Sequence, residues 1–223
     1  MSNVRICPSI LNADRTNLPS EILKIAETAD FLHLDVMDGI FVPATTFTFE
    51  EARGIIANST IPVDSHLMIT NPDEVAKEYA LAGSNSVTFH LEASKDPRST
   101  LRAIKGSGAR AALAIKPTTP VESVFDFLDD LDMLLVMTVE PGAGGQSFMA
   151  EMLPKVKTLR KIFSERNSPT WIQVDGGISL ATIQMAASAG ADTFVAGSAV
   201  YQAKNPGEMV EELRKLADFA LEA

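Results

Sequence analysis

Two histidines and two aspartates stand at the ends of short apolar runs: His33 and Asp35 in FLHLDVMDG, His66 in VDSHLMI, and Asp175 in IQVDGG. Together they form a divalent-metal set, since imidazole suits zinc, iron and similar ions while carboxylate also admits manganese. One residue separates His33 from Asp35, so on a strand both face the same way. Either histidine alone reads as a core residue satisfied by hydrogen bonds. Four ionisable groups on buried strands do not, because burying them is costly unless they are paired or bound to a metal. A metal flanked by two carboxylates can take a proton off one face of a carbon and return one to the other. His90, in TFHLEA, reads as a supporting or structural residue.

Strands must bring these residues together. Apolar, β-branched runs at residues 4–10, 31–36, 63–69, 86–91, 111–115, 133–139, 171–175 and 193–196 predict eight of them. Amphipathic stretches at 18–29, 72–82, 121–129, 151–163, 180–189 and 206–221 predict helices between them, and 47–56 gives a weaker helical pattern. Pro72 and Ser179 mark helix starts, Gly83 and Gly190 helix stops. Strand alternating with helix implies parallel strands joined by right-handed crossovers. Eight units in 223 residues predict one α/β domain over 1–223, a closed (β/α)8 TIM barrel. The structural alternative is a doubly wound open sheet; the lack of G-x-G-x-x-G after the first strand counts against it.

Barrel chemistry sits at the C-terminal strand ends. There the chain offers Ser9, Asp35, His66, His90, Glu92, Lys116, Glu140 and Asp175. Glycine-rich turns follow the last three strands: 141–148, 175–178 and 196–199. Glycine allows close backbone approach and exposes N–H donors to an anion. Placement near strands seven and eight fits a barrel phosphate site, which predicts Gly176, Gly177, Gly197 and Ser198 as a phosphate grip. Gly142, Ala143, Gly144 and Gly145 form a loop able to close over a substrate. Met37, Met68 and Met137 lie beside the polar rim, as core filler or as a water-excluding wall. Lys116 is open between a phosphate partner and a solvated loop residue; Asp30 and Asp38 read as structural, with Asp38 placed to orient the loop after Asp35.

The net charge of −10 gives no basic footprint for nucleic acid or an anionic membrane, though backbone N–H groups can still bind a phosphorylated metabolite. The lone Cys7 precludes an intramolecular disulfide and fits a reducing compartment. No apolar run approaches ~18 residues, so no membrane span is expected and the cytoplasm is the expected location.

The motifs CPSILNAD, HLDVMDGIFVP, SHLMITNP, TFHLEA, PGAGGQSF, VDGGI and ADTFVAGSAVY, in this order, resemble the ribulose-phosphate 3-epimerase family from about Ile6 to Tyr201. The resemblance implies a metal-dependent barrel that interconverts ribulose 5-phosphate and xylulose 5-phosphate. It implies one divalent ion (zinc, iron, manganese or cobalt) on His33, Asp35, His66 and Asp175, with Asp35 and Asp175 as the catalytic acid/base pair acting through an enediolate. It also implies substrate or phosphate contacts from Ser9, His66, Gly142, Ala143, Gly144, Gly145, Asp175, Gly176, Gly177, Gly197 and Ser198. Departures from the family pattern at Asn12, Ala44, Lys116, Glu140 and Ala143 bear on which ketose phosphate is the partner. Allulose 6-phosphate is the six-carbon alternative. A barrel decarboxylase or aldolase would lean on a lysine at the reacting carbon, and a non-catalytic sugar-phosphate sensor would not need both carboxylates. Self-association is expected, with Trp171 or the 47–49 region as candidate contacts.

Overall fold

The computed structural model describes residues 4–222. Its eight strands are β1 (Arg5–Pro8), β2 (Leu32–Met37), β3 (Val63–Met68), β4 (Ser86–His90), β5 (Arg110–Ile115), β6 (Met133–Met137), β7 (Trp171–Asp175) and β8 (Thr193–Ala196). All pair in parallel in the order β1-β8-β7-β6-β5-β4-β3-β2. The sheet curls until β1 meets β2 through a single parallel bridge between Ser9 and His33. This is the barrel expected from the repeat, nearly closed, and not the open sheet.

Alternation along each strand explains where the core sits. Leu34, Val36, Val87, Phe89, Leu134, Ile172 and Phe194 point outward and pack with helix residues such as Leu101, Ile104, Val156, Leu159, Val210 and Leu213. Fully burying a side chain of this size stabilises by ~1.5–3 kcal/mol, so the apolar layer between strands and helices carries the fold. The opposite face of the strands is thereby free to be polar: Asp64, Ser86, Thr88, Gln173 and Thr193 are all buried.

The helices are α1 (Leu18–Leu23), α2 (Phe49–Asn58), α3 (Pro72–Leu81), α4 (Pro97–Gly106), α5 (Leu153–Glu165), α6 (Ile183–Ser188), α7 (Ser198–Tyr201) and α8 (Pro206–Glu222). The weakly patterned 47–56 segment is a regular helix because Thr48 and Glu51 cap each other's backbone N–H groups. Residues 121–129 correct the expectation: Val121–Phe127 is a 3-10 segment. Its buried residues, Val121 and Val124, are three apart, the repeat of that tighter helix. The expected 18–29 helix ends at Leu23 and continues in i→i+3 turns such as Ile25 N–H to Ile22 C=O at 3.2 Å. The helix expected from 180 begins at Ile183, after a turn in which Thr182 Oγ1 accepts the Ser179 N–H at 2.9 Å. Helix α4 lies where no helix was expected: Leu101 and Ile104 are its only large buried apolar residues.

Candidate active site

The strand ends bring the four predicted ligands together. Asp35 and His66 are direct neighbours in the β2/β3 register, and one donor atom from each of His33, Asp35, His66 and Asp175 lies within 4.8 Å of the others. His33 Nδ1 meets Asp64 Oδ2 at 2.9 Å, and that oxygen also accepts Gln173 Nε2 at 2.7 Å. Burial opposes a charge on His33, but Asp35 and Asp64 outweigh it and raise its pKa well above the ordinary value. In the neutral ring that a cation would require, a proton on Nδ1 leaves a lone pair on Nε2, which is buried without a hydrogen-bond partner, 3.4 Å from Asp35 Oδ1. His66 turns Nδ1 to the same place, 3.1 Å from Asp35 Oδ1 and 3.7 Å from Asp175 Oδ2. Two imidazole nitrogens and two carboxylates, with a carboxylate behind His33, fit a divalent cation.

Electrostatics separates the two carboxylates. Burial disfavours the Asp35 charge, but His33 and His66 outweigh it and hold this carboxyl well below the usual range. Burial and then the neighbouring Asp35 charge push Asp175 up to about 6. Ser9 Oγ donates to Asp35 Oδ2 at 2.5 Å. Behind the site, Thr46 Oγ1 donates to the Asp35 carbonyl at 2.7 Å and accepts the Met37 N–H at 2.9 Å. Thr138 donates to the Asp175 carbonyl from its N–H at 2.8 Å and its hydroxyl at 2.9 Å.

Above this cluster opens a narrow cleft. Ser9, Asp35 and Asp175 line it together with Met37, Met68 and Met137, all three methionines buried. Gly142, Ala143, Gly144 and Gly145 face Gly176, Gly177, Gly197 and Ser198 around it. Glycine is required at Gly177, and Gly197 leaves room for the Asn12 side chain. A Cβ at Gly177, where φ is +68°, would lie 2.5 Å from the Phe148 backbone nitrogen, and one at Gly197 would collide with the Asn12 side-chain oxygen. His66 is set back: it is fully buried, does not line the cleft, and its Nε2 faces His90.

Other rim residues take structural places. Lys116 Nζ lies 3.9 Å from the centroid of the Phe41 ring and does not line the cleft. Glu140 is exposed, and its carbonyl accepts Gln146 Nε2 at 2.7 Å. Asp38 accepts the Ile40 and Phe41 N–H groups and the Thr70 N–H, fixing the loop after Asp35. Asp30 accepts the Ile6 N–H and pairs with Arg214 at 2.7 Å. Burial is the main reason the His90 imidazole is lowered to about 4, which keeps it neutral. Sequence reasoning missed Asp64, Gln173 and Thr138. The first two carried a signal: Asp64 and Gln173 each precede a ligand by two residues on its strand, and therefore share its face.

Comparison with known proteins agrees with this geometry. The model of the ribulose-phosphate 3-epimerase family matches residues 5–201. A ribulose-phosphate 3-epimerase of Mycobacterium leprae is 48% identical over 212 residues, covering 95% of this chain and 94% of that protein. The cytoplasmic isoform of Oryza sativa is 42% identical, covering 95% and 93%, and the Bacillus subtilis protein 38% identical, covering 95% and 98%. Among solved structures, KGPDC from Streptococcus mutans in complex with D-R5P has TM-score 0.72 at 14% identity, covering 98% of this chain and 99% of that one, a likeness of fold alone. With the family model spanning most of the barrel and relatives of this identity along nearly the whole chain, the protein belongs to the ribulose-phosphate 3-epimerase family.

Proposed function

We propose that this chain reversibly inverts C3 of D-ribulose 5-phosphate to give D-xylulose 5-phosphate. The observation that carries the mechanism is the pair Asp35 and Asp175, delivered by β2 and β7 to one ligand cluster on the floor of the cleft. One carboxylate removes the C3 proton and the other returns a proton to the opposite face of the planar enediolate. Because the reaction runs both ways, each serves as acid and as base. Held on His33, Asp35, His66 and Asp175, a divalent cation of the zinc, iron, manganese or cobalt type supplies Lewis acidity for the negative charge that develops on the sugar oxygens.

The remaining residues position and shield. Ser9 fixes one oxygen of Asp35 and leaves the other toward the histidines. Backbone N–H groups at Gly176, Gly177, Gly197 and Ser198 hold the phosphate, so that C3 and not another carbon meets the carboxylates. The loop 142–145 covers the sugar, and Met37, Met68 and Met137 exclude water from the charged intermediate. Among the described residues no lysine lines the cleft, which disfavours a lysine-assisted decarboxylase or aldolase.

The partner is a small ketose phosphate, and no helix among the described residues is long and apolar enough to cross a membrane. A cytoplasmic site of action and a homo-oligomer are part of this reading. Trp171 lies between Arg5 and Arg110, whose guanidinium carbons sit 3.6 and 3.7 Å from its ring centroid, so any contact there would involve the whole stack.

The test is C3 epimerisation of ribulose 5-phosphate by the purified protein, before chelation, after it, and after return of a divalent ion. Activity that falls and recovers supports reaction, substrate and metal together. No turnover with metal present, but turnover of allulose 6-phosphate, moves the substrate to the six-carbon sugar.

A further inference from the structure

The second ring nitrogen of His66 is engaged from inside the barrel. His66 Nε2 lies 3.0 Å from His90 Nε2, and the two buried rings stack with centroids 5.1 Å apart. A hydrogen bond between two imidazole nitrogens needs one N–H and one lone pair. Nδ1 of His66 lies 3.1 Å from Asp35 Oδ1, where it donates a proton or, with a cation in the cluster, turns its lone pair to the ion. A cation held by Nδ1 would place the ring proton on Nε2, donated to His90. His90 Nε2 is then bare, and the His90 proton sits on Nδ1, 3.3 Å from Glu92 Oε2. That approach falls short of hydrogen-bond geometry, leaving His90 Nδ1 without a full partner; the carboxylate orients it by charge. Glu92 is itself fixed, accepting the Lys116 N–H at 2.8 Å and the Thr119 hydroxyl. The Phe41 ring packs against His90 with centroids 4.9 Å apart.

We propose that His90 and Glu92 are positioning residues, a directional chain that fixes His66 as the Nε2-protonated tautomer and aims its Nδ1 lone pair at the metal position. The inference rests on the metal reading above and adds an asymmetry to it. His33 offers Nε2 and is backed by the carboxylate of Asp64; His66 offers Nδ1 and is backed by a neutral imidazole. Outer partners of this kind orient ligands and raise their basicity, and their loss typically lowers metal affinity by ~10–100-fold.

The experiment measures Co(II) affinity by competition with a chelator, together with the visible absorption of bound Co(II), for the wild-type chain, His90→Phe, His90→Gln and Glu92→Gln. His90→Phe removes the acceptor and should weaken Co(II) by ~10–100-fold with a changed spectrum. His90→Gln offers an amide oxygen to the same N–H and should recover most of the affinity; Glu92→Gln should fall between. Nitrogen-15 NMR of the zinc-loaded wild-type chain reads the tautomers directly, since only three histidines contribute. A proton on His66 Nε2 is expected, and a proton on His66 Nδ1 overturns the proposal even if a variant fails to fold. Wild-type binding with His90→Phe within twofold of it overturns the chain alone. A wild-type protein that binds no Co(II) overturns the metal reading, and the chain with it.

Discussion

Ser9 donates a 2.5 Å hydrogen bond to Asp35 Oδ2 and also makes the backbone bridge to His33 that joins β1 to β2. One residue thus closes the barrel and aims a candidate acid/base group. Ser9→Ala keeps the backbone bridge and removes the hydroxyl. A hydrogen bond to a charged group is worth ~1.5–3 kcal/mol, so kcat should fall ~10–100-fold. Steady-state kinetics of the metal-loaded variant checks this, and an unchanged kcat would remove Ser9 from the machinery.

Asp35→Asn and Asp175→Asn should each abolish epimerisation while circular dichroism and melting still report a folded barrel. Each positioned proton-transfer group contributes ~10²–10⁴ in rate. The wild-type enzyme should exchange the C3 hydrogen with solvent. Near-normal turnover in either variant, or complete retention of a C3 deuterium in product formed in ordinary water, would refute the two-carboxylate scheme.

Asp64 should control the metal without touching the substrate, because it orients His33 and does not line the cleft. Asp64→Asn retains an acceptor of similar size but loses the charge. Zinc affinity should drop ~10–100-fold, read by chelator competition, while KM at saturating zinc stays near the wild-type value. A large rise in KM with normal zinc affinity would reverse the assignment.

Glu92 gives a pH-dependent contribution to stability. Burial opposes its charge, but His90, Thr119 and the Lys116 N–H prevail and lower its pKa from 4.5 to about 2. The folded state therefore holds this proton more weakly than the unfolded chain. The stabilisation is complete above pH ~4.5 and is lost as pH falls toward 2. Urea denaturation of wild type and Glu92→Gln from pH 7 to pH 2.5 should show wild type more stable at the upper end and the gap closing at the lower. A gap independent of pH would assign the effect to packing.

Strands were legible because each is a short segment with apolar residues between turn residues, and the barrel followed from their number. The ligand set was legible for a related reason: His33 and Asp35 stand out as polar residues on an otherwise apolar strand. Asp64 and Gln173 escaped notice because each gains its meaning only as the inward neighbour of a ligand two positions on. Helix α4 was hidden because charge and hydroxyl groups dominate Pro97–Gly106 and two large apolar side chains suffice to seat it. The place of Asn12 between the turns of Gly144 and Gly197 depends on loops more than 130 residues away, which no local pattern encodes.

The first strand has a full ladder with only one neighbour, β8, running from Arg5 opposite Thr193 to Pro8 opposite Ala196. The ribosome makes that partner last among the strands. Without residues 193–196, β1 would keep the Ser9–His33 bridge and the Ser9–Asp35 hydrogen bond to tie it to β2. Closure of the barrel therefore joins residues from opposite ends of the strand sequence, with β8 on one side of β1 and the Ser9–His33 bridge on the other.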